Sequence, residues 1–177
     1  MLTTLTAPAF AGTWYIENGD ITVKAGDTEG TNKVKQGDSD FVKDEGDTII
    51  TGTSNQNTVT IETEKKDDKV EVTLKDVNID ASSRNEAAVS VTGKGDTNIE
   101  LDGDNKLQSG SGHAGLEHNK TDTSGELTIQ DNDKNGSLKA AGGQYGAGIG
   151  GAGAANDAQV KITGCLLYTS DAADDLH

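Results

Sequence analysis

Three groups of residues in this 177-residue chain have the types and spacing for chemistry. The run Asp131-Asn-Asp133-Lys-Asn135-Gly136 sets oxygen donors at alternate positions ahead of a glycine, which is what a hard cation such as calcium asks of a loop. Its twelfth position is Gly142, where an EF-hand carries a bidentate Glu, so the run is no EF-hand. The same residues also suit a plain turn, because Asn, Asp and Gly tolerate left-handed backbone. Asp131, Asp133 and Asn135 are the candidate metal ligands, and calcium is the one cofactor the sequence leaves open. His113, Glu117 and His118 are zinc-ligand types, but a five-residue spacing on an irregular segment matches no ligand pattern. Exposed or corner histidines are expected there. Gly146-Ala-Gly148-Ile-Gly150-Gly151 satisfies G-x-G-x-x-G, yet it runs on into Ala-Asn-Asp-Ala-Gln and a further strand instead of opening a helix. It reads as a glycine-rich corner.

The elements that position these residues repeat along the chain. Val72-Thr-Leu74-Lys-Asp76-Val-Asn-Ile79 is followed by a polar turn and Ala87-Ala88-Val89. Ile99-Glu-Leu101 through Leu107 is followed by Ala114-Gly115-Leu116, and Leu127-Thr-Ile129 with Leu138 by Ala147-Gly148-Ile149. A further copy opens at Val160-Lys-Ile162, while Ile49-Ile50 and Val59-Thr-Ile61 look like the later strands of an earlier one. Each unit holds three short strands of period-two alternation between Gly, Asn, Asp and Ser turns, and no segment shows a helical stripe. Repeats of this length signal repeat architecture. The expected fold is all-β: a right-handed parallel β-helix of about four coils, truncated at its C-terminus. Inward ladders such as Leu74/Leu101/Ile129 and Val89/Leu116/Ile149 are expected to line it. An antiparallel sandwich explains the turns but not the repeated order of strand, strand, small-small-apolar. Trp14 and Tyr15, with Ile16, Ile21 and Val23, are placed to plug the N-terminal end that a solenoid must cover.

Both ends of the chain stand apart from this pattern. Residues 1–11 carry small residues at Ala9 and Ala11, an A-x-A cleavage signature, and read as a signal-peptide remnant. Cys165-Leu-Leu-Tyr-Thr-Ser-Asp-Ala-Ala-Asp174 resembles translated sequencing-adapter sequence, so 165–177 is read as a non-native tail. That leaves 12–164 as an incomplete β-helix domain.

Composition bounds the function classes. Lys plus Arg number 15 against 30 Asp plus Glu, a net charge of -15, which disfavours a nucleic-acid partner. Leu, Ile, Val and Phe make up about 19 % of the chain, a thin supply for a core, and no run approaches the eighteen apolar residues of a membrane-spanning helix.

On Gly12-Thr-Trp-Tyr-Ile-Glu-Asn-Gly-Asp-Ile-Thr-Val23, Ile99-Glu-Leu-Asp-Gly103, Gly110-Ser-Gly-His-Ala-Gly-Leu-Glu117 and the Gly136–Gly150 segment, the chain resembles a bacterial family. It comprises secreted surface proteins described as carbohydrate-binding-domain-containing parallel β-helix proteins. The resemblance covers essentially all of 12–164. It implies a secreted or cell-surface location and a polysaccharide or surface-glycan partner, but supplies no binding residues. Asn78-Ile-Asp80 and Gly112-His113 echo signatures of pectin-cleaving β-helix enzymes. The paired acids one coil on are missing, as is an Arg-x-Lys, Arg84 being the only arginine. No acid and base pair is singled out for glycoside cleavage. The expectation is therefore a non-catalytic binding or adhesion module, with a structural stalk as the alternative and a β-helix lyase or hydrolase as a weaker one.

Overall fold

Period-two alternation with so few large apolar residues can close a core only if each strand stacks on its own repeat. The chain does this. The computed structural model describes residues 12–153, 159–164 and 166–170, so the expected leader at 1–11, Cys165 and residues 171–177 lie outside the described residues. After β1 (Thr13–Tyr15) and a 3-10 turn (Ile16–Asn18) come β2 (Ile21–Ala25), β3 (Thr31–Gln36) and β4 (Val42–Glu45). The coils then run through β5 (Thr48–Ser54), β6 (Val59–Thr63), β7 (Lys69–Asp80), β8 (Val89–Gly93), β9 (Asp96–Gln108) and β10 (Leu116–His118). They continue in β11 (Leu127–Gln130), β12 (Gly136–Ala141), β13 (Ile149–Gly150), β14 (Val160–Thr163) and β15 (Leu166–Ser170).

Side one stacks β1, β5, β7, β9, β11 and β14 in parallel, and side three stacks β2, β6, β8, β10 and β13. Side two is formed by the second halves of β5, β7 and β9, continued by β12 and β15. This is a parallel β-helix. Three turns carry all three sides at length (β7–β8, β9–β10 and β11–β13), slightly fewer than the four expected; β5–β6 makes a shorter coil ahead of them.

The corner between sides one and two is a left-handed kink. Asp76 takes φ +49 and Gly103 φ +67, and the register of β7 slips at this point. A Cβ on Gly103 would lie 2.0 Å from Asp76 Oδ1, so the kink and the close approach both require glycine. One coil later the corner opens into the loop Asp131–Asn135.

Inward ladders fill the interior. Ile21, Val59, Val89, Leu116 and Ile149 form one, which contains the expected Val89/Leu116/Ile149. Leu74 pairs with Leu101 as expected, but Ile129 does not follow them: it pairs with Ile99, and Leu127 with Thr97. The separate corner loop shortens side one in that coil. β11 ends at Gln130, opposite Glu100 and one residue short of a partner for Leu101, and the whole strand shifts back by one inward rung. Fully burying each Leu or Ile in such a ladder contributes about 1.5–3 kcal/mol. Among the described residues, buried side-chain polar atoms other than Thr97 Oγ1 are matched. The Asn105 amide accepts from Val77 N–H (2.9 Å) and donates to Asp102 O (3.2 Å) and Ser137 O (3.3 Å), tying three coils at the corner. Thr97 Oγ1 is buried with no hydrogen-bond partner among the described residues.

At the N-terminal end the stack is covered by an antiparallel hairpin. β3 pairs antiparallel with β2, and β4 with β3. Asp44 is buried there, its carboxylate accepting from Gly12 N–H (2.7 Å), Trp14 Nε1–H (2.9 Å) and Thr48 Oγ1 (3.0 Å). Asn32 Nδ2 donates to Thr48 Oγ1 and to Glu71 O, both at 2.8 Å, which joins the hairpin to side one. Ile16, Ile21 and Val23 are buried and Trp14 packs against the core, so these four form the expected plug within a larger lid, but Tyr15, expected there too, is 48 % exposed.

Candidate functional site

The outward face of side one is a regularly ordered surface. Successive coils place like positions in register: Thr73, Glu100 and Gln130 form one rung, and Glu71, Asn98 and Thr128 the next. Parallel strands lie about 4.8 Å apart, so each rung is a row of hydrogen-bonding groups at that interval. All of these but Thr128, together with Asp47, Asp102 and Asp133, border a groove of about 550 Å³. Glu100 is held in place, because its carboxylate accepts from the Asn132 backbone N–H (2.6 Å) and from Asn132 Nδ2 (2.8 Å). Lys75 Nζ sits 3.0 Å from Asp102 Oδ2, and this hydrogen bond raises the Lys75 pKa above the ordinary lysine value. The groove thus offers mainly carboxylates, amides and hydroxyls, with Ile49 as a partly exposed apolar patch at its edge.

A second cleft, of about 710 Å³, lies between the loops around Asp27 and Lys65. Lys24 reaches Glu62 and Glu64 (both 3.5 Å), and Lys33 reaches Asp27 (2.7 Å). The bond from Lys33 lowers the Asp27 pKa. Asp68 is also lowered, chiefly by the Lys65 backbone N–H, with Glu64 N–H adding to it, and so caps its own turn. Five lysines and seven acids line this cleft, so it carries no strong field of either sign. Exposed pairs of this kind contribute little to stability.

The residues expected to bind calcium lie on the Asp131–Asn135 corner loop. Asp131 is buried, and its two carboxylate oxygens accept from Asn135 N–H and Gly136 N–H, each at 3.1 Å. Asp133 and Asn135 are exposed. The loop therefore holds its own shape through Asp131, as the plain turn reading requires. Among the described residues no group of three or more His, Cys, Asp or Glu side chains is disposed to hold a metal ion.

The two histidines part company. His113 Nδ1 lies 2.8 Å from Glu117 Oε2, at a corner, as expected. His118 is 1 % exposed and stands in the inward ladder below Val91, contrary to the corner position expected of it. Its Nδ1 faces Val91 O at 3.0 Å and its Nε2 faces Gly125 O at 2.8 Å, and a neutral imidazole donates to one of them at a time. The alternation Leu116-Glu-His118 was the available signal, since it puts His118 on the same face as Leu116.

Asn78 and Asp80 sit on side two, where Asp80 is lowered by hydrogen bonds from the Ser82 hydroxyl and N–H; this is a turn cap. The glycine-rich segment forms a corner between sides two and three and leads into β13, not into a helix. Tyr145, unremarked in the sequence, projects from that corner with a left-handed φ of +66°. Arg84 joins three coils, with contacts to Asp20 (3.2 Å), Gln56 O and Glu86 (2.9 Å). No family model, characterised protein or solved structure matches the chain.

Proposed function

We propose that this β-helix is a non-catalytic module of an exported, cell-surface bacterial protein that binds polysaccharide along side one. The observation that supports the reading is the pair of outward rungs, Thr73/Glu100/Gln130 and Glu71/Asn98/Thr128, repeated coil by coil beside an open groove. A repeating surface of hydroxyl, amide and carboxylate groups complements a repeating chain of hydroxyl-rich units. The rungs present their groups on a flat strand bed, so little ordering entropy is lost on binding. Location and partner also follow the family resemblance of the Gly12–Val23 and Gly136–Gly150 segments.

The full chain is to be tested on an array of neutral and acidic glycans, with and without calcium. Saturable binding is expected, weakened about tenfold by Asn98→Ala or Glu100→Ala, which corresponds to roughly 1.4 kcal/mol each. No binding to any glycan under either condition overturns the reading and favours a spacer. The spacer reading has its own support in Arg84, which ties three coils together without facing the groove. Release of reducing ends from a bound polysaccharide would overturn the non-catalytic part.

A further inference from the structure

The corner between sides two and three repeats with a single odd residue. Leu116 and Ile149 are in register, so the residues four places before each, Gly112 and Tyr145, match, and Asn85 in the coil before lies at the same corner, against Gly110. Asn85, Gly112 and Tyr145 are all left-handed, with φ of +50°, +80° and +66°. Gly112 and Tyr145 hold the same place in matching turns: His113 N–H bonds to Gly110 O, and Gly146 N–H to Gly143 O. The corners are tied by Gly112 N–H donating to Gln144 O at 2.8 Å. Glycine adopts this φ freely and asparagine tolerates it, but a tyrosine is strained there.

The strained residue is also the outlying one. Tyr145 is 72 % exposed, the highest value among the exposed large hydrophobic side chains of the described residues. Its immediate neighbours are Gln144 and Gly146. A Cβ at Gly112 would meet nothing within 4 Å, so the surface over that neighbouring turn is open. Ser111 and Gln144 supply hydrogen-bonding groups at the same two turns, and Arg84 and Asn85 at the next coil. Among the described residues, a ring left this exposed at a strained corner gains little from packing.

We propose that Tyr145 is a stacking platform for one pyranose ring of a polysaccharide, whose neighbouring units lie over Gly112 toward Asn85 and Arg84. The proposal rests on the polysaccharide-binding reading above and adds a second contact line, on a different corner from the side-one groove. The apolar face of a sugar ring lies on the aromatic ring, while its hydroxyls reach the turn residues.

The test titrates the full chain with soluble dextran, xylan, galactomannan and pectate, and repeats the titration with Tyr145→Gly and Tyr145→Phe. Glycine suits the φ of this position, so Tyr145→Gly keeps the corner; unchanged circular dichroism and an undiminished Tm confirm that any loss is not unfolding. Tyr145→Gly should weaken binding about tenfold, and Tyr145→Phe should stay within about twofold of the parent. Equal binding by the parent and Tyr145→Gly overturns the platform while leaving the polysaccharide reading in place. A parent chain that binds none of the four overturns both, before any variant is compared.

Discussion

Replacing Asp44 by alanine should unseat the N-terminal lid. The carboxylate is 1 % exposed and takes three donors at 2.7–3.0 Å from three different segments: Gly12, Trp14 and Thr48. A hydrogen bond to a charged group contributes about 1.5–3 kcal/mol, but these three do not add in full. The Thr48 hydroxyl can turn elsewhere, and Trp14 is only partly buried. A net loss of about 3 kcal/mol is the reasoned figure, which for a chain of this size lowers Tm by about 6–12 °C. Calorimetry or circular dichroism reads the Tm. The emission of Trp14, the single tryptophan, reads the lid itself and should move to the red in the folded variant. Asp44→Asn should fall between, because its amide oxygen still accepts while its NH2 confronts a donor. A Tm within about 2 °C of the parent together with unchanged Trp14 emission would refute the reasoning, since it would mean that the three donors are satisfied without the carboxylate.

Two further outcomes follow from single side chains. Thr97→Val should raise Tm by about 2–4 °C, because it replaces a buried hydroxyl that has no partner among the described residues with a methyl group in the Val70/Thr97/Leu127 ladder; a lowered Tm would show that the hydroxyl is bonded. The folded-state pKa of Asp68 is depressed by the Lys65 and Glu64 N–H groups, so its contribution is present above the unfolded carboxylate value of about 3.9 and is lost as pH falls through the lower folded value. Asp68→Asn should therefore flatten part of the acid limb in urea unfolding measured between about pH 4 and pH 2, and parallel limbs for the two proteins would show that Asp68 is not involved.

The winding of the chain was legible because its ladders are apolar and periodic. Val89, Leu116 and Ile149 could be aligned by the small residues ahead of each, and they stack as read. Ile129 was misplaced by two residues because the loop Asp131–Asn135 replaces a one-residue kink, and loop length leaves no trace in the alternation. The β3–β4 hairpin escaped notice for a different reason. It buries Asn32 and Asp44 against each other's neighbours, and a polar network that is satisfied internally looks like surface in a sequence. Its one apolar inward residue, Val34, was too little to mark a strand. Tyr145 was not anticipated: only the backbone angle distinguishes it from any exposed tyrosine.

The lid has a consequence for how such a protein can change over generations. Its bonds reach only as far as Gly12, Trp14, Thr48 and Glu71, within the first coils. Coils farther along are interchangeable in outline, with register intervals of 27, 30 and 33 residues between Lys69 and Asp96, Thr97 and Leu127, and Leu127 and Val160. Duplicating or deleting one of them in the gene would shift everything downstream by one storey and leave the roof untouched. Length, and with it the number of rungs offered to a ligand, is thereby free to drift while the N-terminal seal is inherited unchanged.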